Sequence, residues 1–469
     1  MLIEPVELVG VAELGAVHFI AIGGAGMSPI AAMYAALGVP VSGSDQADSP
    51  TLAGLAALGI RTHVGHDATQ LGDAATVVVS SAIRETNPEL VEARRRGLRI
   101  WHRSTALAAL MLGRTGVAVT GTHGKTTTSA MTAVLLTGAG ADPGYVVGSA
   151  LTATGRAWHL GGGAAFVVEA DESDGSFRQY PAAIAVVTNV EADHLDNWGT
   201  PAAYAAGFVD FATAPGVVTV VISADDPGAV ALTPAIRRAG KHVVTVGESA
   251  GADVRLSAIE STQGGSRAVL TADGDRGDLV LAVPGRYNLH NAAAAYAVGR
   301  ALGLPGAALR AAASGFSGTS RRFEPVAEIA GVRIFDDYAH HPTEVAATLT
   351  AARGMVGGGR LVACFQPHLF TRTRDFAGEF GRALALADEI VVLGIYPARE
   401  DPLPGVTGRL VADAAQALAT GPVHYVETLA GAAPALAAIV RPADLVVTLG
   451  AGDVTRVGPE LAGLLESIA

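Results

Sequence analysis

The stretch Val117-Ala-Val-Thr-Gly-Thr-His-Gly-Lys-Thr-Thr-Thr128 decides the fold. An apolar strand runs into a loop cornered by Gly121 and Gly124, and the loop carries Lys125 and a run of threonines into a helix. This is the build of a nucleotide-phosphate cradle. The glycines let backbone N–H groups turn onto phosphate oxygens, Lys125 adds a point charge, and Thr126 offers a hydroxyl to Mg2+ at a helix N-terminus. The usual phosphate loop has another glycine five residues before the Gly-Lys pair, where this chain has Val119 inside the strand. The shortened Gly-x-x-Gly-Lys-Thr loop narrows the reading to a subset of ATP users.

Composition bounds the rest. The 469 residues suggest about three domains of ordinary size. A net charge of -12 and a pI near 5.5 give no basic field for nucleic acid. Lys125 and Lys241 are the only lysines, and one of them sits in the loop. The single cysteine, Cys364, excludes an internal disulfide framework and a cysteine-based zinc site; its apolar run Leu361-Val-Ala-Cys-Phe365 predicts a buried structural thiol. The N-terminus lacks a basic leader and no apolar run spans a bilayer, so the chain reads as soluble and cytoplasmic, with its first dozen residues mobile.

Val- and Ile-rich runs alternate with Ala/Leu helical stretches, which predicts parallel sheets with helices on both faces. Three α/β blocks separate at residues 1–114, 115–321 and 322–469. The first has strands at Val17 to Ile22, Val39 to Ser42, Thr76 to Val79 and near Leu98 to Trp101. The second opens with the phosphate loop and continues with strands at 166–168, 184–188 and 217–222. It ends in a small antiparallel sheet, because the runs 254–259, 268–271 and 279–283 alternate and are joined by Gly264-Gly265 and Asp273-Gly274. The third has strands at 332–335, 361–365, 390–393 and 445–448.

Candidate chemistry lies at the strand ends. Glu169-Ala-Asp-Glu-Ser-Asp174 follows one strand, and Glu169 is placed to hold Mg2+ beside Thr126; Asp193-His194 follows another, with His194 a candidate second ligand. In the first block, Gly24-Ala-Gly26-Met-Ser-Pro29 matches a dinucleotide fingerprint at two glycines, and Asp45 stands where a ribose-binding acid would. That turn fits a pyrophosphate belonging either to NAD or to a nucleotide sugar. In the third block, Asp336-Asp-Tyr-Ala-His-His-Pro342 and Gln366-Pro-His-Leu-Phe-Thr-Arg-Thr-Arg-Asp375 concentrate polar groups. The arginines suit a carboxylate or phosphate, or else a surface ion-pair network with Asp375 and Glu379.

These pieces, in this order, resemble the Mur ligase family, which joins amino acids to UDP-sugar precursors of peptidoglycan. The resemblance rests on His18 to Ser28, Ser42-Gly-Ser-Asp45, Gly121 to Thr127, Glu169 to Asp174, Thr188 to His194, Asp336 to Glu344 and Gln366-Pro-His368, and covers nearly the whole chain. It implies a UDP-binding first domain, a central P-loop ATPase and a C-terminal Rossmann-like domain that closes over the site. It also implies ATP and Mg2+ (or Mn2+) as cofactors, small-molecule partners, and a monomer or homodimer. In the alanine-adding branch, ATP would phosphorylate the lactyl carboxylate of UDP-N-acetylmuramate and L-alanine would attack the acyl phosphate.

Carried over by residue, the resemblance makes Gly121, Thr122, His123, Gly124, Lys125, Thr126, Thr127, His290, Asn291, Arg322 and Asp337 the ATP contacts. Thr126, Glu169 and His194 become metal ligands. Gly23, Gly24, Ala25, Gly26, Met27, Ser28, Asp45 and Ser81 would hold the UDP-sugar. Tyr338, His340, His368, Arg372 and Arg374 would surround the amino acid, with Lys125, His340 and Arg322 catalytic. Two departures stand out. No lysine occurs between Lys125 and Lys241, where related ligases place a carbamylated lysine that helps bind metal, and Leu369 replaces an arginine common after the histidine of Gln-Pro-His. Rival readings are a family member that attaches a tripeptide to the same sugar, a nicotinamide dehydrogenase, and a non-catalytic nucleotide-binding regulator.

Overall fold

The computed structural model describes residues 2–262, 264–398 and 400–468. Three sheets organise them. The first is wholly parallel, in the order Arg61–Val64, Val41–Asp45, Val17–Ile20, Thr76–Val79, Arg99–His102. Helices Ser28–Ala36, Pro50–Ala57 and Arg103–Leu110 bury Met33, Tyr34, Leu55 and Leu107 in the same core as Phe19 and Val78. Helix Pro88–Arg95 sets Leu90 and Ala93 against Ile20 and Val77 in a separate cluster. The alternation of strand faces requires this two-sided cover, because Val17 to Ile20 are buried on both.

The central sheet has ten strands in the order Asp275–Leu281, Gly265–Ala272, Val254–Thr262, His242–Gly247, Thr219–Ser223, Ala182–Val187, Thr115–Thr120, Ala165–Glu169, Gly144–Leu151, Arg156–His159. The three strands of the expected ribbon are present as neighbours but form no separate sheet. Val254–Thr262 pairs in parallel with His242–Gly247 through Val246 and Val254, so the ribbon extends the main sheet. The two-residue connection Asp273-Gly274 between Gly265–Ala272 and Asp275–Leu281 demands that these neighbours run antiparallel.

The third sheet runs Glu324–Ile329, Val332–Asp337, Leu445–Leu449, Leu361–Phe365, Glu389–Leu393, Val423–Val426, antiparallel only at its first pair. Leu349, Phe380 and Val411 cover one face, and Leu436, Leu461 and Leu465 the other. Cys364 lies in the middle of Leu361–Phe365, fully buried, and burial pushes its thiol up to about 12; it is the structural thiol its surroundings predicted.

The chain packs as two compact units. One comprises 1–257, 269–279 and 290–316, and the other 258–268, 280–289 and 317–469. The N-terminal segment, expected to be mobile, is tied down within the first unit. Val6 and Gln179 exchange two hydrogen bonds (2.7 and 2.9 Å), and the Ile3 N–H donates to the Asp174 carbonyl at 2.7 Å. Among the described residues, no helix is long and apolar enough to cross a membrane.

Candidate active site

Strand Thr115–Thr120 feeds the phosphate loop into helix Lys125–Gly138, and two left-handed glycines make the turn: Gly121 at φ 137° and Gly124 at φ 80°. The next strand in the sheet laces the loop shut. Asn189 accepts from the His123 N–H (2.8 Å) and donates to the His123 carbonyl (3.0 Å), and the Thr188 hydroxyl donates to that carbonyl at 2.6 Å. A Cβ on Gly121 would overlap Thr188 Oγ1, and one on Gly124 would lie 3.0 Å from Asn291 Oδ1. Asn291 is therefore packed directly on the loop. Neither Thr188 nor Asn189 was assigned a role from sequence, because their work is to hold backbone that only the folded sheet brings close.

Lys125 reaches back over its own loop. Its Nζ donates to the Gly121 and Thr122 carbonyls (2.7 and 3.1 Å) and to Glu172 Oε1 (3.1 Å), and lies 2.9 Å from Oε2. Burial works against the ammonium, but the charges of Glu172, Asp171 and Glu169 outweigh it and keep Lys125 above its ordinary value. Glu172 is wholly buried, and burial pushes it up to about 7 in spite of Lys125.

Of the metal candidates, Thr126 is buried in the first helical turn. Glu169 spends Oε2 on the Gly148 N–H at 2.8 Å and keeps a second oxygen. His194 adopts a left-handed backbone (φ 53°, ψ 35°), with Nε2 3.6 Å from Asp193 and 3.9 Å from Glu172. Hydroxyl and carboxylate oxygens such as those of Thr126 and Glu169 are donors of the kind a hard divalent cation takes. His290 Nε2 is 2.9 Å from Glu248 and its Nδ1 is 3.7 Å from Asp225. Asp225 in turn accepts from the amides of Glu248 and Ser249 and the Ser249 hydroxyl, so it serves the turn that holds His290.

The first sheet carries its own glycine turn ahead of a helix. Pro29 sits in the first turn of helix Ser28–Ala36 and leaves it intact. Asp45 Oδ2 accepts from the Gly23 N–H at 2.9 Å, pinning the strand end to the glycine turn. Gly24, Ala25 and Gly26 are exposed, and the amides of Ala25 and Gly26 have no intramolecular partner among the described residues. Arg103, unassigned from sequence, brings its guanidinium to 3.3 Å from where a Gly26 Cβ would stand and donates to Asp171 at 2.8 Å. Ser81 donates to Asp174 at 2.7 Å, beside a His102 that burial and Arg103 push down to about 4. On helix Pro88–Arg95, Glu89 is wholly buried and accepts from His18 (2.9 Å), His66 (2.8 Å) and Ser44 (2.6 Å). Burial alone would push Glu89 up, but these bonds hold its carboxyl below the usual range.

In the second unit, Tyr338, His340, His368 and Tyr396 form a row of rings with centroid separations of 5.2, 5.8 and 5.9 Å. Arg321 and Arg322 place their guanidiniums 4.9 and 5.1 Å from the Tyr338 ring. His340 Nδ1 contacts the Tyr338 carbonyl at 3.2 Å. A carbonyl only accepts, so Nδ1 is the donor in this contact. Asp337 accepts from the amides of Phe323 and Ala339 (2.7 and 2.8 Å), and burial pushes it up to about 6 against the pull of Arg322. Both of its oxygens thus shape the backbone around Arg322.

Arg372 is buried, whereas Arg374 is exposed and paired with Asp375 at 2.7 Å, the surface ion pair that was the alternative reading. Leu369 holds φ 68°, ψ 139° at the start of helix Phe370–Leu384, and its N–H donates to the Tyr396 carbonyl. Tyr396 was missed because nothing local marks a lone tyrosine after a strand; its bridge to His368 is tertiary.

Comparison with known proteins agrees along the whole chain. Residues 16–115 match the family model described as Mur ligase family, catalytic domain, residues 119–299 that of the Mur ligase middle domain, and residues 321–452 that of the Mur ligase, glutamate ligase domain. The chain is 62% identical over 99% of both chains to UDP-N-acetylmuramate--L-alanine ligase of Cutibacterium acnes, and 57% identical over 97% of both to that of Kineococcus radiotolerans. The crystal structure of UDP-N-acetylmuramate-alanine ligase from Thermotoga maritima superposes with a TM-score of 0.81 at 29% identity, covering 97% of this chain and all of that one. A murein peptide ligase from Psychrobacter arcticus shares the fold at a TM-score of 0.72 and 23% identity, over 97% and 99% of the two chains. Three mostly parallel α/β sheets, a phosphate loop on the central one and full-length identity to such relatives place the chain in the Mur ligase family.

Proposed function

We propose that the protein joins L-alanine to the lactyl carboxylate of UDP-N-acetylmuramate at the expense of ATP, in the synthesis of peptidoglycan precursors. The observation that carries this reading is the 62% identity, end to end, to a UDP-N-acetylmuramate--L-alanine ligase. A carboxylate is a poor acyl donor. One of its oxygens attacks the γ-phosphorus of ATP and expels ADP; the amine then attacks the acyl carbon, loses a proton and expels phosphate.

The division of labour follows the three blocks, 1–114 for the UDP-sugar, 115–321 for ATP and 322–469 for the amino acid. Gly121 to Thr127 cradle the phosphates through amides and hydroxyls, and Lys125 follows the transferred phosphoryl group. Thr126, Glu169 and His194 would hold Mg2+, which neutralises phosphate charge when bound. Ala25 and Gly26 present amides to the diphosphate, with Asp45 fixing the turn. His290 and Asn291 serve the nucleoside, and Arg322 the phosphates. His340 orients the incoming amine within the ring row of Tyr338, His368 and Tyr396. Arg372 takes the amino acid's carboxylate, more of that work falling to it where Leu369 stands and Arg374 is engaged at the surface. The location is cytoplasmic, where such nucleotide substrates occur.

The test is phosphate release from ATP with Mg2+ and UDP-N-acetylmuramate, adding L-alanine, glycine, L-serine or a tripeptide in turn. L-Alanine is expected to give the fastest release. No release with any acceptor refutes the ligase, and a preference for tripeptide reassigns it. Lys125→Ala is expected to abolish turnover.

A further inference from the structure

We propose that Glu172 is the positioning residue of the phosphate loop: its carboxylate grips Lys125 as phosphate oxygens do, and the incoming nucleotide phosphate takes Lys125 from it by exchange. The inference rests on the reading of Lys125 as a phosphate ligand. Both oxygens of Glu172 lie within 3.1 Å of Nζ, while the Gly121 and Thr122 carbonyls hold the amine above the loop. The carboxylate is itself placed by the fold. The Trp198 indole donates to the Glu172 carbonyl at 2.9 Å, the Gly175 N–H donates to it at 3.1 Å, and the Tyr204 hydroxyl reaches Oε1 at 3.4 Å. With no exposed surface, Glu172 cannot swing to solvent as a surface partner would.

The charge pattern gives the exchange its sign. Glu172 neutralises the one ammonium of the loop, and Asp171 and Glu169 add further negative charge around it. An arriving polyphosphate must therefore compete with a built-in anion. In return, Lys125 is kept charged, ordered and aimed across the loop before any phosphate reaches it. Neutralising a carboxylate that merely filled space would leave affinity unchanged, and neutralising one that helped ligand binding through a cation would weaken it.

The experiment titrates tripolyphosphate, with EDTA present, into the full chain and into its Glu172→Gln variant by calorimetry. Glu172→Gln is expected to bind roughly tenfold more tightly, the scale of removing one nearby like charge from a partly screened site. Unchanged or weaker binding overturns the proposal. Asp171→Asn removes the same charge one residue away but leaves the Lys125–Glu172 pair in place, and is expected to change affinity less; an equal change also overturns it. If Glu172→Gln does not fold alone, tripolyphosphate is expected to recover it on refolding where sodium chloride of equal ionic strength does not, and failure to do so counts against the exchange. The assay needs no turnover, so its failure and a failure of the ligase reading are separate results.

Discussion

Alanine at the two loop glycines should cost very different amounts, although both are phosphate-loop residues with positive φ. Gly121, at φ 137°, lies in a region open essentially to glycine alone, and its Cβ would overlap Thr188 Oγ1 and come within 3.1 Å of the Asn189 backbone N and O. Thr188 cannot yield cheaply, because its hydroxyl is held by the His123 carbonyl at 2.6 Å and the Thr120 carbonyl at 3.2 Å. Backbone strain of about 1 to 3 kcal/mol, together with two lost hydrogen bonds at about 1 kcal/mol each, gives roughly 3 to 5 kcal/mol for Gly121→Ala. Gly124, at φ 80°, ψ 0°, sits in the ordinary left-handed region, and its Cβ would press only on the Asn291 amide at 3.0 Å. Gly124→Ala should cost about 1 to 2 kcal/mol. Urea unfolding followed by the fluorescence of Trp198, which is buried in the same core, measures both. Calorimetric titration of ATP should show weaker binding for Gly124→Ala, because Asn291 is displaced. Equal losses of stability, or the larger loss at Gly124, would refute the account of the loop as laced shut by Thr188 and Asn189.

Three further outcomes follow from the geometry. His340→Asn keeps a donor for the Tyr338 carbonyl but removes Nε2, so turnover with L-alanine should fall on the order of a hundredfold while the KM for ATP stays unchanged in steady-state kinetics. Arg372→Ala should raise the KM for L-alanine sharply, whereas Arg374→Ala, which breaks only an exposed pair with Asp375, should leave kinetics and unfolding midpoint as they are. Glu89 has its pKa depressed in the fold, so its contribution to stability is complete at neutral pH and is lost as pH falls through the folded value. Glu89→Gln should be less stable than the parent near pH 7, and the gap should stay constant down to about pH 5 and narrow only below it in denaturation curves.

The sequence by itself determined what local chemistry fixes. A strand, two spaced glycines, a lysine and a threonine specify a phosphate loop whatever surrounds them, and continuous apolar runs such as Leu361–Phe365 mark strands buried on both faces. The strands it left unread were mostly at sheet edges. Arg61–Val64, Arg156–His159, Glu324–Ile329 and Val423–Val426 are short and half-exposed, so burial imposes no apolar pattern on them. Tertiary structure alone decided which polar groups share a partner. Arg372 and Arg374 are two residues apart and look alike in sequence, yet one is buried and the other is spent on Asp375, because helix Phe370–Leu384 turns them to different surroundings. Glu172 was one acid among four in a strand-end cluster. Only the approach of strand Ala165–Glu169 beside Thr115–Thr120 sets the loop that carries it next to Lys125, and a contact across 47 residues leaves no periodicity in the chain to read.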